Sequence, residues 1–468
     1  MPRQGFAPPR NDNTTEEEKM NNYNDLIKKD LKYVWHPFTQ MKDYETDEPI
    51  IIDRGKGVYL WDLKGNKYID GISSWWVNTL GHSHPRLNEA LKKQAEKIEH
   101  VLLAGFSHEP AIELAERLVN LTPPEITKVF YSDNGSTAVE VALKMAYQYW
   151  QQVGFPEKSK FIALKNSYHG DTLGAVSVGG VDVYHKIYKP LLFEVFQADS
   201  PYCYRCPAGK SSDSCSIECL NSVEKILEKH ADQIASIIIE PLVQAAGGMI
   251  IYPAEYLTKL KKLCDKYNIL LIDDEVAMGF GRTGKMFAFE HAEIVPDMIC
   301  LAKGITAGYL PLSVTMTSDK IYQAFYDDYE KMKTFFHGHS FTGNPLAASI
   351  AVENLKIFEE EKIIESLQPK IKKLKIELEK FKELECVGDI RHIGMIGAVE
   401  IVKNKETKEP YAFEERIGSK IYKEALKRGA ILRPLGSVIY FMPPYAITEE
   451  EIGQLTDIAF ESLKTIKL

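Results

Sequence analysis

Five short apolar segments, separated mostly by stretches of helical periodicity, are the feature that most constrains the fold of this chain. They span residues 128–131, 161–164, 234–239, 269–272 and 298–301. Apolar runs of this length are typical of strands buried on both faces, and residues 255–267 show the helical spacing expected between two of them. Strands that alternate with helices build a mainly parallel sheet flanked by helices. The sequence therefore predicts an α/β fold.

Composition limits the number of domains and the kinds of partner. The 468 residues, 44% of them hydrophobic, can bury one large core and a second small one, so we expect two domains. The formal net charge of -9 argues against a nucleic-acid partner. No apolar stretch approaches the roughly 18 residues of a membrane span, so we expect no membrane partner. Residues 1–24 are polar and lack the apolar region of a signal peptide, which predicts a flexible tail on a cytoplasmic protein.

The domain boundaries follow from where this pattern changes. Residues 91–345 contain the five apolar segments and predict the large domain. A long helix begins near Leu346 and has a Lys/Glu-rich continuation over residues 359–385. Residues 390–401 and 438–441 have the pattern of further strands. We expect residues 25–90, with an N-terminal arm, and residues 346–468 to form a smaller α+β domain.

Lys303 is the first candidate for chemistry, because it follows the apolar segment 298–301 and precedes a glycine. In an apolar setting desolvation disfavours the ammonium form and lowers the pKa of a lysine. The neutral amine is a nucleophile, and lysines of this kind bond covalently to carbonyl substrates and to pyridoxal phosphate (PLP). Most lysines after a strand are solvated instead, so the assignment depends on the residues around it.

Two acids, Asp273 and Asp274, follow the apolar segment 269–272. Open α/β sheets place their ligands at this end of a strand. A PLP enzyme needs a carboxylate against the pyridine nitrogen to keep that nitrogen protonated. Successive side chains on a strand face opposite ways, so either aspartate could have this role, and both could simply cap the loop.

Residues 132–140 follow the segment 128–131 and open a helix. Thr137 and Glu140 have the spacing of a capping box. Gly135 and Ser136 therefore lie where backbone N–H groups and the helix dipole favour an anion such as a phosphate. An ordinary capped helix would explain the same residues.

Tyr168 follows the segment 161–164. Its ring could lie flat on a planar cofactor, as offset stacking prefers, or belong to the core.

Four of the seven cysteines cluster, namely Cys203, Cys206, Cys215 and Cys219. This spacing can hold zinc through four thiolates. The alternative is a packed excursion between a strand and a helix in a reducing compartment, where disulfides are uncommon. The two pairs lack the usual frame of a zinc ribbon, so we expect no metal.

Together, Lys303 after its strand, the segment 273–284 and the phosphate turn resemble the class III (ω-type) aminotransferases. The segments 35–41, 70–77, 81–85, 337–345 and 432–436 are similar to those of the biotin-pathway members, which aminate 8-amino-7-oxononanoate to 7,8-diaminononanoate. The paired Trp75 and Trp76 and the run Trp35, His36, Pro37 make this narrower resemblance specific. It covers the chain from about residue 33 to the C-terminus. It implies the type I fold of PLP-dependent transferases, PLP as cofactor, a small-molecule amino donor and keto acceptor, and a homodimer with active sites at its interface.

The resemblance also implies a role for each matching residue. Lys303 would be catalytic and would bind PLP covalently, and Asp274 would hold the pyridine nitrogen. Gly135 and Ser136 would hold the phosphate from one subunit, with Tyr168 on the cofactor, while His339 and Ser340 would reach it from the other. The substrate-binding set would be Phe38, Trp75, Tyr168, Lys303, Gly338 and Arg433.

Arg433 suits a carboxylate, which a guanidinium grips in bidentate fashion. Arg282 is a second candidate, although a structural ion pair would explain it as readily.

Phe38 departs from the family pattern. Many of the biotin-pathway members have tyrosine at this position, where it contributes to substrate recognition, and S-adenosylmethionine is their amino donor. Related enzymes with phenylalanine include some that use lysine. The resemblance elsewhere favours S-adenosylmethionine, with lysine as the alternative.

Two other readings remain open. Decarboxylases, mutases and other ω-aminotransferases share this fold and chemistry, and fold alone does not decide among them. The cysteine cluster also allows a zinc-stabilised binding protein on an inactive aminotransferase scaffold, against which the retention of Lys303, Asp274 and the phosphate turn argues.

Overall fold

The computed structural model describes residues 16–47, 49–211 and 214–466. Within these residues the strands are β1 (Ile52–Lys56), β2 (Tyr59–Asp62), β3 (Lys67–Asp70), β4 (Ile126–Ser132), β5 (Lys160–Leu164), β6 (Val195–Ala198), β7 (Ile234–Ile239), β8 (Val243–Gln244), β9 (Ile250–Ile251), β10 (Leu270–Asp274), β11 (Met298–Leu301), β12 (Ser313–Ser318), β13 (Val387–Ile393), β14 (Ile396–Asn404), β15 (Glu409–Pro410), β16 (Ala430–Ile431) and β17 (Val438–Phe441). The α-helices are α1 (Glu16–Tyr33), α2 (Met41–Tyr44), α3 (Ser73–Trp76), α4 (Pro85–Ala95), α5 (Glu109–Leu121), α6 (Gly135–Gln152), α7 (Leu173–Ser177), α8 (Asp182–His185), α9 (Asn221–His230), α10 (Ala254–Tyr267), α11 (Asp319–Phe325), α12 (Pro345–Glu360), α13 (Ile363–Glu379), α14 (Ile417–Lys427) and α15 (Glu449–Thr465). None of these helices is long and apolar enough to cross a membrane.

The largest sheet has seven strands in the order β4-β12-β11-β10-β7-β5-β6. β12 runs antiparallel to its neighbours β11 and β4. The remaining pairs, from β11 through β10, β7 and β5 to β6, are parallel. The predicted α/β fold with a mainly parallel sheet is confirmed.

Successive residues of the central strands pack into different cores. Leu271 of β10 belongs to the core that also contains Leu257 and Leu260 of α10. Its neighbours Leu270 and Ile272 belong to the core that contains the buried face of α6. Side chains on a strand alternate between its faces, and burying one leucine or isoleucine contributes about 1.5–3 kcal/mol, so both faces must be apolar.

All five predicted strands are present, but the strand predicted at 269–272 is β10, which runs to Asp274. Asp273 and Asp274 are therefore strand residues on opposite faces of the sheet. β6 and β12 were not predicted from the sequence.

Among the described residues, two four-stranded sheets and the two-stranded pair β8-β9 lie outside this one. β1, β2 and β3 join β16, and the parallel partners Ile69 and Ala430 show that early and late parts of the chain share a sheet. β13, β14, β15 and β17 form the other. The helix predicted from Leu346 is two helices, α12 and α13, separated at Lys362, whose φ of 47° is left-handed. The domain boundaries at residues 90–91 and 345–346 stay a prediction.

The N-terminal tail differs from the prediction. Residues 16–24 lie in α1, and residues 1–15 lie outside the described residues. Tyr23 is buried and its hydroxyl donates to the Pro49 carbonyl at 2.7 Å. This anchor gives α1 a tertiary contact that a polar composition does not reveal.

Candidate active site

A cavity of about 750 Å³ opens at the carboxyl end of the large sheet. Its wall includes residues that directly follow β4, β7 and β11, residues of the loop after β5, and the last residue of β10. Open α/β sheets bind ligands at this edge, and the volume is that of a small-molecule site. The predicted residues that line it are Phe38, Trp75, Gly135, Ser136, Tyr168, Asp274, Lys303 and Arg433.

Lys303 lies at the centre of the charged groups of this cavity. Burial lowers the pKa of Lys303, while the carboxylates of Asp274 and Glu240 oppose that shift. Its ammonium nitrogen lies 5.0 Å from the centre of the Trp76 ring. A lysine with a lowered pKa supplies the neutral amine that nucleophilic chemistry needs.

Backbone strain marks the walls of the cavity. Lys303, Phe38 and Trp75 have φ angles of 46°, 50° and 72°, a region that side chains other than glycine rarely adopt. Strained backbone of this kind persists where surrounding structure imposes it and clusters at functional sites.

Asp274 and Asp273 have opposite surroundings. Asp274 faces the cavity, with Oδ2 2.6 Å from Nδ1 of the buried His169 and Oδ1 accepting from the Val276 N–H at 3.1 Å. Asp273 is fully buried on the other face, and neither of its carboxyl oxygens has a hydrogen-bond partner among the described residues. Burial raises the pKa of Asp273 well above its usual range, helped by Glu275 and Asp274. Asp274 is the carboxylate available to a ligand in the cavity.

The start of α6 forms the opposite end of the cavity. Asn134 caps this helix, since its side chain accepts from the Thr137 N–H at 3.2 Å while the Thr137 hydroxyl accepts from the Asn134 N–H at 3.0 Å. The predicted capping pair of Thr137 with Glu140 is therefore wrong, because Glu140 accepts from the Gly174 N–H at 2.7 Å instead. Gly135 and Ser136 occupy the first turn, where backbone N–H groups lack helical acceptors.

Close packing at this turn explains why residues 135 and 170 are glycines. A Cβ on Gly135 would lie 2.6 Å from Val276 Cγ1, and one on Gly170 would lie 2.0 Å from Ser136 Oγ. Ser136 Oγ also accepts from the Asp171 N–H at 3.2 Å. The two glycines therefore let Val276 and Ser136 pack closely and fix the position of this turn.

Tyr168 is held from both ends. Its N–H donates to Glu240 Oε1 at 2.9 Å and its hydroxyl donates to Asp171 Oδ2 at 2.8 Å. Burial raises the pKa of Glu240 to about 7. Glu240 was not a candidate, although its position directly after β7 at the ligand-binding edge was a usable signal.

Phe38, Trp75 and Arg433 line the cavity together. Phe38 packs edge-on against Trp75, with ring centres 5.4 Å apart. The Arg433 guanidinium lies 4.3 Å from the centre of the Trp75 ring, and Nη2 donates to the Phe38 carbonyl at 3.3 Å. No carboxylate of the described chain pairs with Arg433, which leaves its fork available to a substrate carboxylate.

Gly338, His339 and Ser340 are exposed and do not line the cavity of their own chain. His339 Nδ1 lies 2.7 Å from Asp133 Oδ2. The contact of His339 and Ser340 with the phosphate of a partner subunit stays a prediction, and so does the role of Gly338 in substrate binding.

Arg282 has a structural role. It is buried and its guanidinium donates to the carbonyls of Pro443, Trp76 and Asn78 at 3.0–3.1 Å. Backbone carbonyls, rather than the ion pair that was the alternative, accept from its two Nη atoms.

The four clustered cysteines are free thiols that line one small cavity of about 20 Å³. In the described part of the chain, no group of three or more His, Cys, Asp or Glu side chains is arranged to hold a metal ion. The absence of a metal in the folded protein stays a prediction.

Comparison with known proteins identifies the family. A sequence profile described as aminotransferase class-III matches residues 41–463. The chain belongs to the class III aminotransferases.

Individual class III relatives are similar over nearly the whole chain. The adenosylmethionine-8-amino-7-oxononanoate aminotransferase of Geobacter sulfurreducens is 51% identical over 438 residues, which cover 93% of this chain and 97% of that protein. The crystal structure of the enzyme of that name from Methanocaldococcus jannaschii has a TM-score of 0.91 at 46% identity, covering 95% of this chain and 100% of that one. An ω-transaminase from Pseudomonas jessenii, solved in complex with PMP, has a TM-score of 0.90 at 34% identity, covering 94% and 98%. These similarities confirm the predicted type I fold.

Proposed function

We propose that this aminotransferase uses PLP to transfer an amino group to 8-amino-7-oxononanoate, forming 7,8-diaminononanoate in biotin biosynthesis, with S-adenosylmethionine as donor. The observation that carries the proposal is the convergence of Lys303, Asp274 and an unpaired Arg433 in one cavity. The relatives from Geobacter and Methanocaldococcus bear the name of this reaction at 51% and 47% identity.

The residues of the cavity fit PLP. Lys303 would hold it covalently, Asp274 would face its ring nitrogen, and the first turn of α6 would hold its phosphate. The first turn of α6, where backbone N–H groups lack helical acceptors, lines the cavity through Gly135 and Ser136, which is consistent with binding of an anion. When bound, PLP supplies an aldehyde that links to amines and a protonated ring that withdraws electrons.

The chain's own groups then have distinct tasks. Lys303 Nζ, with its lowered pKa, takes up a proton and returns it as general base and acid. His169 Nδ1 contacts Oδ2 of Asp274 and so holds this carboxylate in place. Arg433 binds the carboxylate that both the aminoketone and the donor carry, and the aromatic wall of Phe38 and Trp75 excludes water from the reacting end.

The donor is the less constrained half of the proposal. Phe38 lacks the hydroxyl that many biotin-pathway members carry there, and one hydrogen bond is worth only about 0.5–1.5 kcal/mol net. That energy is too small to exclude S-adenosylmethionine. Lysine, as donor to the same acceptor, is the second candidate because of this phenylalanine.

We also propose a homodimer that shares its active sites and resides in the cytoplasm. Large apolar side chains are exposed beside the segment 338–340, including Phe336 and Phe341, and Trp35 near Phe38 is 87% exposed. Clusters of this kind mark interaction surfaces.

A panel of substrates tests the reaction. The purified PLP form is mixed with 8-amino-7-oxononanoate and either S-adenosylmethionine or lysine, and 7,8-diaminononanoate is measured by mass spectrometry. We expect product with S-adenosylmethionine. Product formed with lysine but not with S-adenosylmethionine would make lysine the donor. Amination of simple ketones without any 7,8-diaminononanoate would instead indicate a general ω-aminotransferase.

A further inference from the structure

Tyr184 lies on the wall of the active-site cavity beside Phe38 and has no role in the reaction described so far. It belongs to the short helix α8 and lines the cavity together with Arg433. Its ring packs edge-on against Phe38 at 5.4 Å between centres and against Tyr168 at 6.1 Å. Phe38 therefore stands between two aromatic rings, Trp75 on one side and Tyr184 on the other.

The hydroxyl of Tyr184 has no hydrogen-bond partner among the residues that the structure describes. The hydroxyl of the neighbouring Tyr168 donates to Asp171 at 2.8 Å, so this carboxylate already has a phenol as its partner. Half-buried phenols normally find a partner, and a partner supplied by a ligand satisfies that requirement.

The charges around this hydroxyl indicate which kind of ligand group it meets. Burial raises the pKa of Tyr184, the Arg433 guanidinium lowers it, and the Asp171 carboxylate raises it by less than Arg433 lowers it, so the cation is the stronger of the two charges acting on this hydroxyl. Arg433 also contacts Phe38 through its Nη2 donor at 3.3 Å. Tyr184 and Arg433 thus present an O–H donor and a cationic N–H donor to the same part of the cavity.

We propose that the Tyr184 hydroxyl donates a hydrogen bond to the substrate carboxylate that Arg433 binds, which makes Tyr184 a specificity-determining residue for carboxylate-bearing substrates. The inference rests on the proposed function for the identity of the carboxylate. In this enzyme Tyr184 supplies a phenol hydroxyl on the wall where Phe38 lacks one.

The test compares Tyr184→Phe with wild type on two acceptors. One is 8-amino-7-oxononanoate and the other is 2-amino-3-octanone, which keeps the aminoketone but has no carboxylate. Loss of a hydrogen bond to a charged group should raise KM for the first acceptor about tenfold with kcat retained, and should leave KM for the second unchanged. Tyr188→Phe is the matched control, because Tyr188 is in the neighbouring turn, is exposed and does not line the cavity.

Two outcomes would overturn the inference. An equal rise of KM for both acceptors would show that Tyr184 acts only as an aromatic wall, and no change for either would show that its hydroxyl meets no substrate. If wild type does not convert the aminoketone, the proposed function fails first. The half-reaction with lysine and with 1,5-diaminopentane then tests Tyr184 by itself, because these amines differ only by the carboxylate. Tyr184→Phe is expected to weaken the reaction with lysine more than the reaction with 1,5-diaminopentane.

Discussion

Asp273 and Asp274 are adjacent in sequence, yet their side chains have different surroundings. Asp274 has a histidine partner and faces the cavity, whereas Asp273 has no hydrogen-bond partner in the described chain and a pKa raised by burial. Burial and the neighbouring carboxyl groups of Glu275 and Asp274 favour the protonated form of the Asp273 side chain. An asparagine in its place is nearly isosteric with that uncharged form.

This contrast predicts a large difference between two substitutions. Asp274→Asn should lower kcat at least about a hundredfold, because an amide cannot keep the ring nitrogen of PLP protonated, while cofactor binding is retained. Asp273→Asn should keep kcat within a few-fold of wild type. Steady-state kinetics, with cofactor absorbance as the check on binding, measures both. The reverse order of effects would place the wrong aspartate at the cofactor.

At the level of elements, apolar patterning located five strands but missed β12. Its sequence from Ser313 to Ser318 alternates hydroxyl and apolar residues, yet nearly all of it is buried. The Thr315 hydroxyl donates to the Ala138 carbonyl at 2.7 Å, which removes the cost of burying it. Such pairing depends on tertiary contacts. For the same reason Tyr184, which lies in a short helix and does not follow a strand, could not be assigned to the site from local motifs.

Helix α15 provides a prediction at the same scale. The Thr448 hydroxyl accepts from the Glu451 N–H at 3.1 Å, and Glu451 Oε2 accepts from the Thr448 N–H at 2.8 Å. Thr448→Ala removes one half of this capping box and should lower the free energy of unfolding by about 1 kcal/mol. Differential scanning calorimetry should show a fall in Tm of roughly 1–2 °C. Thr407→Ala is the control, since its exposed side chain caps no helix, and an equal fall in that variant would contradict the capping argument.

For the whole molecule, the cavity of one chain lacks three of the residues that the family resemblance assigns to the active site. Gly338, His339 and Ser340 lie on the exterior of the chain that carries them, beside exposed aromatic residues. A twofold symmetric dimer that buries this surface would place the segment against the partner's cavity, and each site would then contain residues of both chains.

Mixed dimers test this shared site. Lys303→Ala removes the nucleophile of a chain's own site, and Ser340→Glu puts a carboxylate where the partner's phosphate is expected, so each homodimer should be inactive. Two differently tagged chains, one with each substitution, are co-expressed and the mixed dimer is purified through both tags. If Ser340 acts across the interface, one site combines both substitutions and the other has neither, so the mixed dimer should show about half of the wild-type rate. If Ser340 acts within its own chain, both sites carry one substitution each, and the mixed dimer should be as inactive as its parents.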